Sequence, residues 1–344
     1  MKKLMRTAAA VLTGTLVLTG CTAMDLGQEV DAFPSFNSWT TYGSNTATYA
    51  DLAAVANTIS SETDTQVRIT TSDTAVGRLT PLRKNQATIA RTGDEYMYAY
   101  YGEEDFATEE WGPQDLRMVW APVSPHSLMV TEASGVETPM DLEGKKVPVI
   151  TANPSVNNKY DALHEVTPTI DFDTFTSGPG QAAGQEDHAM YYTLPLVSYE
   201  DLSDSQAYQT ARAVQDHYPD FKDATMTTVT WDVDHAVVAP VRVPFHEGTV
   251  RYLEEQGVWT PEAQALNEAL ISHGEELRAA WPEFLEQADT QGDMNAQWAD
   301  YREENLPPVP TMDSVGTEQG ASGAETGGDR PAAENGTTGE QEVD

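Results

Sequence analysis

The chain has 344 residues, of which 55 are Asp or Glu and 19 are Lys or Arg, and its formal charge is −36. A charge of this sign repels phosphate, so it excludes nucleic acid as a partner and allows contact with an anionic membrane only through a lipid anchor. The acidic residues are spread along the whole chain. They indicate a solvated surface of the kind that suits a saline habitat.

The N-terminus has the pattern of an export signal. A basic head precedes an apolar run from Ala8 to Leu18, and Leu18-Thr19-Gly20-Cys21 follows. This last segment resembles the lipobox of bacterial lipoproteins, in which the cysteine becomes the lipidated first residue; an ordinary cleavage site is the alternative. We therefore expect residues 1–20 to be a lipoprotein signal peptide. The mature protein would be exported and membrane-anchored through Cys21, facing the periplasm or the cell exterior.

After a tether at residues 21–36, the sequence predicts alternating strands and helices. The predicted strands are Asn37–Thr41, Gln66–Thr70, Thr88–Ala90, Leu116–Ala121, Ser127–Thr131 and Lys146–Ile150. The predicted helices are Thr46–Ser60, Ala75–Arg83, Asp94–Tyr101 and Ser155–Leu163. This order is typical of an open α/β sheet with helices on both faces, which we assign to a first lobe at residues 37–162.

The second half is predicted to be less regular. Glu165–Asp187 reads as irregular, Tyr191–Tyr199 as a strand, Ser203–Tyr218 as a helix capped by Ser203, and Val229–Val243 as extended. Three closing helices are expected at Phe245–Gln256, Pro261–Ala279 and Glu283–Tyr301. We divide this half into a second lobe (163–243), C-terminal helices (244–304) and a disordered acidic tail (305–344) that is flexible from about Thr311.

Three polar turns follow predicted strands: Tyr42–Asn45, Arg91–Asp94 and Asn153–Ser155. Ligands of open α/β sheets lie outside the carboxyl ends of the strands, so these turns should meet in one crevice. The helix after Asn153 would offer backbone N–H groups to a carboxylate, although an ordinary strand-to-helix turn has the same sequence. Arg91 could bind a carboxylate through its two-pronged guanidinium, and a salt bridge with a neighbouring acid is the alternative.

The other candidates are tyrosines that could wall the pocket and small polar residues at turn positions. Core tyrosines and ordinary turn residues would look the same in the sequence. The predicted ligand-binding residues are Tyr42, Gly43, Ser44, Tyr49, Arg91, Thr92, Gly93, Asn153, Ser155, Asn157 and Tyr192.

No constellation in the sequence predicts an enzyme. His246-Glu247 lacks the second histidine of a zinc protease motif and reads as the start of a helix. The glycines form no phosphate-binding loop, and there is no Gly-x-Ser-x-Gly motif. We therefore predict no catalytic residue, no metal and no cofactor.

Three segments resemble one family. They are Tyr42–Ala53 (YGSNTATYADLA), Leu142–Lys159 (LEGKKVPVITANPSVNNK) and Pro244–Trp259 (PFHEGTVRYLEEQGVW), the last with Thr249 where alanine is usual. The family is the TAXI class of solute receptors, the extracytoplasmic binding proteins of TRAP transporters. The similarity runs from about Asn37 to about Pro282.

The resemblance implies a two-lobed type II periplasmic-binding-protein fold that hands a small organic acid or amino acid to a sodium-coupled TRAP permease. The family has a longer βα stretch after the segment that matches Asn158–Leu163, so a shortened second lobe is implied here. The ligand could be an amino acid, a dicarboxylate or a more apolar solute. The alternatives are a structural or sensory lipoprotein that kept the fold without transport, and an enzyme on a similar scaffold.

Overall fold

The computed structural model describes residues 33–126, 170–175 and 187–315. The predicted signal peptide, Cys21, the strands at 127–131 and 146–150, the helix at 155–163 and the residues Asn153, Ser155 and Asn157 lie outside these ranges, as does the tail from residue 316. Those predictions stay predictions.

The strands, in chain order, are β1 (Phe36–Thr41), β2 (Gln66–Thr71), β3 (Ile89–Arg91), β4 (Leu116–Trp120), β5 (Val123–His126), β6 (Ile170–Phe175), β7 (Asp187–Thr193) and β8 (Leu196–Tyr199). The α-helices are α1 (Ala47–Glu62), α2 (Ala75–Arg83), α3 (Glu95–Tyr101), α4 (Asp204–Asp216), α5 (Tyr218–Phe221), α6 (Glu247–Glu255), α7 (Pro261–Leu285) and α8 (Met294–Asn305). Short 3₁₀ turns lie at Glu104–Phe106 and Thr228–Trp231. The protein thus has a mixed α/β fold.

The main sheet has five strands in the order β2-β1-β3-β8-β4. Strand β1 is parallel to β2 and to β3, and β8 is antiparallel to both of its neighbours. The turns after β1 and β3 therefore leave the same edge of the sheet, as the sequence predicts for 42–45 and 91–94.

A smaller antiparallel sheet has the order β5-β7-β6. The chain passes from β4 directly into β5 and returns from β7 directly into β8, so two neighbouring strands connect the sheets. At this crossing the backbone N–H of Leu194 donates to the carbonyl of Pro122 at 3.0 Å. The predicted single strand Tyr191–Tyr199 is therefore two strands in different sheets, because Pro195 follows this bond and interrupts the ladder.

Side-chain caps begin most of the long helices. The hydroxyls of Thr46, Thr74, Ser203 and Thr260 each accept a backbone N–H of the first turn of α1, α2, α4 and α7 respectively. The predicted helix Ala75–Arg83 has the observed bounds, and the predicted Ser203 cap is present.

Three predictions of local structure are wrong. The segment predicted as irregular contains β6, and the segment predicted as extended after Val229 begins inside the 3₁₀ turn Thr228–Trp231. The predicted break near Pro282 is also absent, because α7 continues to Leu285. Trp281 and Phe284 pack on Trp298 of α8 with ring centroids 4.9 and 5.1 Å away, which holds this last turn in place.

The ordered chain extends past the predicted start of the tail at residue 305. Residues 312–315 form a helical turn, and Val315 is buried against Leu266 and Leu270 of α7. Within the described ranges, no helix has the length and apolar character needed to cross a bilayer.

Candidate functional site

A cavity of about 630 Å³ opens where the turns after β1 and β3 meet β7 of the smaller sheet. Its volume lies in the range of small-molecule sites. Tyr42 comes from the first turn, Gly93 and Asp94 from the second, and Tyr192 from β7. The lining residues are Tyr42, Ala75, Gly93, Asp94, Glu95, Tyr98, Glu104, Asp105, Phe106 and Tyr192.

Tyr42, Glu95 and Arg78 form a hydrogen-bonded group in the wall of this cavity. The Tyr42 hydroxyl lies 2.8 and 3.0 Å from the two carboxylate oxygens of Glu95, to which it donates. Arg78 Nε donates to Glu95 Oε1 at 2.8 Å, and its guanidinium carbon lies 3.7 Å from the centroid of the Tyr42 ring. Burial and the Glu95 charge raise the pKa of Tyr42, so this hydroxyl stays protonated and acts as a donor.

Gly93 makes room for this group. A Cβ at Gly93 would lie 2.5 Å from the Tyr42 hydroxyl and 3.1 Å from Glu95 Oε2, so a larger residue would have to displace the end of the Tyr42 side chain. Glycine thus allows the close approach of these two side chains to the turn, which is one of the recurrent uses of this residue.

The carboxylates of the cavity act on one another and on the tyrosines. Desolvation by the cavity wall and the charge of Glu95 raise the pKa of Asp94. Burial, followed by the charges of Asp94 and Glu95, raises the pKa of Tyr192 to about 12. In both cases burial is the larger cause, and a neighbouring carboxylate is the second.

Glu104 stands at the cavity rim in a left-handed backbone conformation, with φ +49°. Its backbone N–H donates to Asn295 Oδ1 at 2.9 Å, and Asn295 Nδ2 donates to its carboxylate at 3.3 Å. A non-glycine residue in this region costs about 1–3 kcal/mol, and such positions cluster at ligand sites. The bonds from α8 thus hold an acidic side chain at the opening.

Three of the predicted ligand-binding residues meet in the cavity: Tyr42, Gly93 and Tyr192. Gly43, Ser44 and Tyr49 belong to the turn and first helical turn after β1 and do not line it. Thr92 is fully buried, and its backbone N–H donates to the carbonyl of Pro195 at 3.1 Å.

Arg91 does not line the cavity. It forms a buried salt bridge, which was the alternative to binding a ligand carboxylate. Its side chain is 1 % exposed, and Nη2 lies 3.0 Å from Asp51 Oδ2. Asp51 also accepts a hydrogen bond from Thr227 at 2.8 Å, and the guanidinium carbon lies 4.7 Å from the Trp231 ring centroid. Burial lowers the Arg91 pKa, whereas Asp51 opposes that change and keeps the guanidinium charged.

His246 begins a helix, as the sequence predicts. Its Nδ1 accepts the backbone N–H of Gly248 at 3.2 Å, which caps α6, and Nε2 lies 2.7 Å from the carbonyl of Leu202. Burial lowers the His246 pKa, so the ring is neutral and this tautomer donates to Leu202. Among the described residues, no three His, Cys, Asp or Glu side chains are placed to hold a metal ion.

The sequence analysis missed Arg78, Glu95, Tyr98, Glu104 and Asp105. Arg78 lies inside α2, and its long side chain reaches Glu95 at the start of α3. One signal was present: Glu95 and Tyr98 are three residues apart on α3, directly after the predicted turn, and such residues share a helix face. The 3₁₀ turn that carries Glu104 has no comparable signal.

The comparisons with known proteins do not assign a family. No protein-family model matches the sequence, and the search of curated proteins found no match. A solved structure of a Bordetella bronchiseptica RB50 protein is similar to the chain with 10 % identity and a TM-score of 0.30, over 66 % of this chain and 90 % of that one. A likeness at this score supports no argument about fold or function.

Proposed function

We propose that the protein is an extracytoplasmic solute-binding receptor that delivers a small organic acid or amino acid to a TRAP-type permease. The cavity carries this proposal: it lies at the carboxyl ends of parallel strands β1 and β3, where open α/β sheets bind ligands. Its size and its mixture of aromatic and polar walls suit a small polar solute.

The connection between the two sheets supports a two-lobed receptor of the type II periplasmic-binding class. Tyr192 comes from the smaller sheet. The other lining residues come from the turns and helices that follow β1, β2 and β3 of the main sheet, so the cavity receives groups from both. The resemblance of residues 42–53 and 244–259 to TAXI receptors points to the same class, with a sodium-coupled permease as partner.

Thermal unfolding of the purified chain with a panel of organic acids, amino acids and amines tests the proposal. A solute that binds only the folded state raises the melting temperature. At a concentration one hundred times its Kd it adds about 2.7 kcal/mol to the free energy of unfolding. We expect at least one small solute to do so. A panel in which no solute changes the melting temperature would contradict a receptor function.

The proposed membrane anchor has its own test. Replacement of Cys21 by Ala removes the thiol to which a lipid would be attached, so we expect the protein to leave the membrane fraction or to stay unprocessed. Membrane fractionation together with fatty-acid labelling measures both effects. Label that still enters the Cys21→Ala protein would show that the lipid, if present, is attached elsewhere.

A further inference from the structure

Carboxylates dominate the charge of the cavity. Asp94, Glu95, Glu104 and Asp105 all line it, and among the described residues its lining includes no Lys, Arg or His. Arg78 lies behind Glu95 and offsets one of these charges. An anionic ligand would be desolvated beside several like charges, whereas a cation would be attracted by them and by the −36 charge of the chain.

Four aromatic rings complete the walls: Tyr42, Tyr98, Phe106 and Tyr192. The faces of such rings attract cations, above all where little water remains. The guanidinium of Arg78 already makes this contact with Tyr42 at 3.7 Å. Burial, and then the charges of Asp94, Glu104, Glu103 and Glu95, raise the pKa of Tyr98.

We infer that this cavity binds an organic cation, a solute whose ammonium group lies among the aromatic rings and faces the carboxylates. The inference rests on the proposed receptor function. It differs in the chemical group that the cavity recognises, which is an ammonium and not a carboxylate. A metal ion fits less well, because these carboxylates do not converge into a ligand set among the described residues. An amino acid with a basic side chain, a diamine or a choline-like solute has the required chemistry.

Isothermal titration of the full chain with choline, putrescine and L-lysine, and with succinate for comparison, tests the inference. We expect at least one amine to bind with a Kd of about 1 mM or lower, succinate not to bind, and the amine affinity to fall as NaCl is added. Binding of succinate without binding of any amine would overturn the inference and preserve the receptor function. If no amine binds at about 10 mM, the inference is wrong; if no solute stabilises the chain either, the receptor function fails with it.

Two charge variants locate the site. Glu104→Gln/Asp105→Asn removes two rim charges from exposed positions, and Gln keeps the bond from Asn295. Glu109→Gln/Glu110→Gln removes two exposed charges outside the lining and serves as the matched control. We expect about tenfold weaker amine binding in the first variant and less than twofold change in the control. An equal loss of amine affinity in the two variants would mean that only the overall charge of the protein matters, and this would overturn the inference that the cavity is the binding site.

The aromatic contact is tested at Tyr98, which is half-buried in the wall. Tyr98→Leu removes the ring and should weaken amine binding about 3- to 30-fold, whereas Tyr98→Phe keeps the ring face and should lose less. Melting temperatures of both variants show whether the fold is intact. Equal loss in the two variants, with both folded, would contradict a contact between cation and ring.

Discussion

Arg91 and Arg212 both pair with an aspartate, but their surroundings differ. The pair Arg91–Asp51 is 1 % and 2 % exposed, while the pair Arg212–Asp216 on α4 is 49 % and 54 % exposed. Removing one member of a buried pair leaves an uncompensated charge away from water. Removing one member of an exposed pair leaves a charge that water solvates.

We therefore expect Arg91→Met to destabilise the protein by about 3–5 kcal/mol, because Asp51 keeps its bonds from Thr225 and Thr227 but loses its counter-ion. Arg212→Met should cost less than about 1 kcal/mol. Urea unfolding measures both. A folded, stable Arg91→Met protein with weakened solute binding would instead support the direct ligand contact that the sequence suggested.

His273 gives the protein a pH-dependent stability. Burial, aided by the charge of Arg302, lowers its pKa from 6.5 to about 4, while Glu276 Oε2 at 3.9 Å and the Tyr101 ring face it as well. The unfolded state therefore binds a proton between pH 6.5 and 4 that the folded state does not. This contribution to stability is present above pH 6.5 and is lost as the pH falls through that window.

In His273→Gln the loss of stability between pH 7 and 4.5 should be smaller than in the original protein, by on the order of 1–2 kcal/mol. Chemical unfolding of both proteins at several pH values measures the slopes. Parallel slopes for the two proteins would exclude His273 as the source.

At the scale of elements, two prolines show how far the sequence predicts the fold. Local caps and apolar spacing are contained in a few adjacent residues, so helices such as Ala75–Arg83 could be predicted with their bounds. Pro195 interrupts a strand between two sheets, whereas Pro282 lies inside α7. Helix α7 continues because Trp281 and Phe284 contact Trp298 on another helix, and no local pattern contains that contact.

The candidate site shows the same limit. The position of the turns at the edge of the sheet could be predicted from strand order, and Tyr42 and Gly93 lie there. The partner of each charged side chain could not be predicted, because Arg78 inside α2 and Arg91 at the end of β3 are both buried and pair with different carboxylates. Only the packed structure separates the arginine behind the cavity wall from the one buried beside Asp51.

The helical turn at residues 312–315 should stabilise the folded protein through its contact with α7. Val315 is 9 % exposed against Leu266 and Leu270. A chain truncated after Pro310 should be less stable than one truncated after Val315, by about 1–2 kcal/mol, because a valine loses its burial. Both variants lack residues 316–344, so the comparison isolates this turn. Equal melting curves would mean that the contact contributes nothing.

At the scale of the whole molecule, the turns and helices that follow strands of the main sheet supply most of the cavity lining, and the described buried core lies mostly around this sheet. Large buried side chains such as Trp39, Trp120 and Trp231 belong to its strands or to the loops that cover it. The smaller sheet adds Tyr192 to the cavity. The proposed solute site therefore includes residues of both sheets, while most of the buried core surrounds the first.

The hydrogen bond between the Leu194 N–H and the Pro122 carbonyl marks the point at which the smaller sheet is inserted between β4 and β8. In a two-residue β-hairpin, the residues that flank the turn are joined by this same N–H to carbonyl bond, and here it measures 3.0 Å. Residues 123–193 thus occupy the place of a hairpin turn between β4 and β8, and the smaller sheet is an insertion.

Replacing residues 123–193 with Asn-Gly should leave a five-stranded sheet that unfolds cooperatively, although Thr230 loses its bond to the Val123 carbonyl. Circular dichroism during urea unfolding would show this, and a broad, non-cooperative transition would contradict it. The hydrogen-bond register of β4 and β8 is accordingly independent of the length of the segment between Pro122 and Leu194.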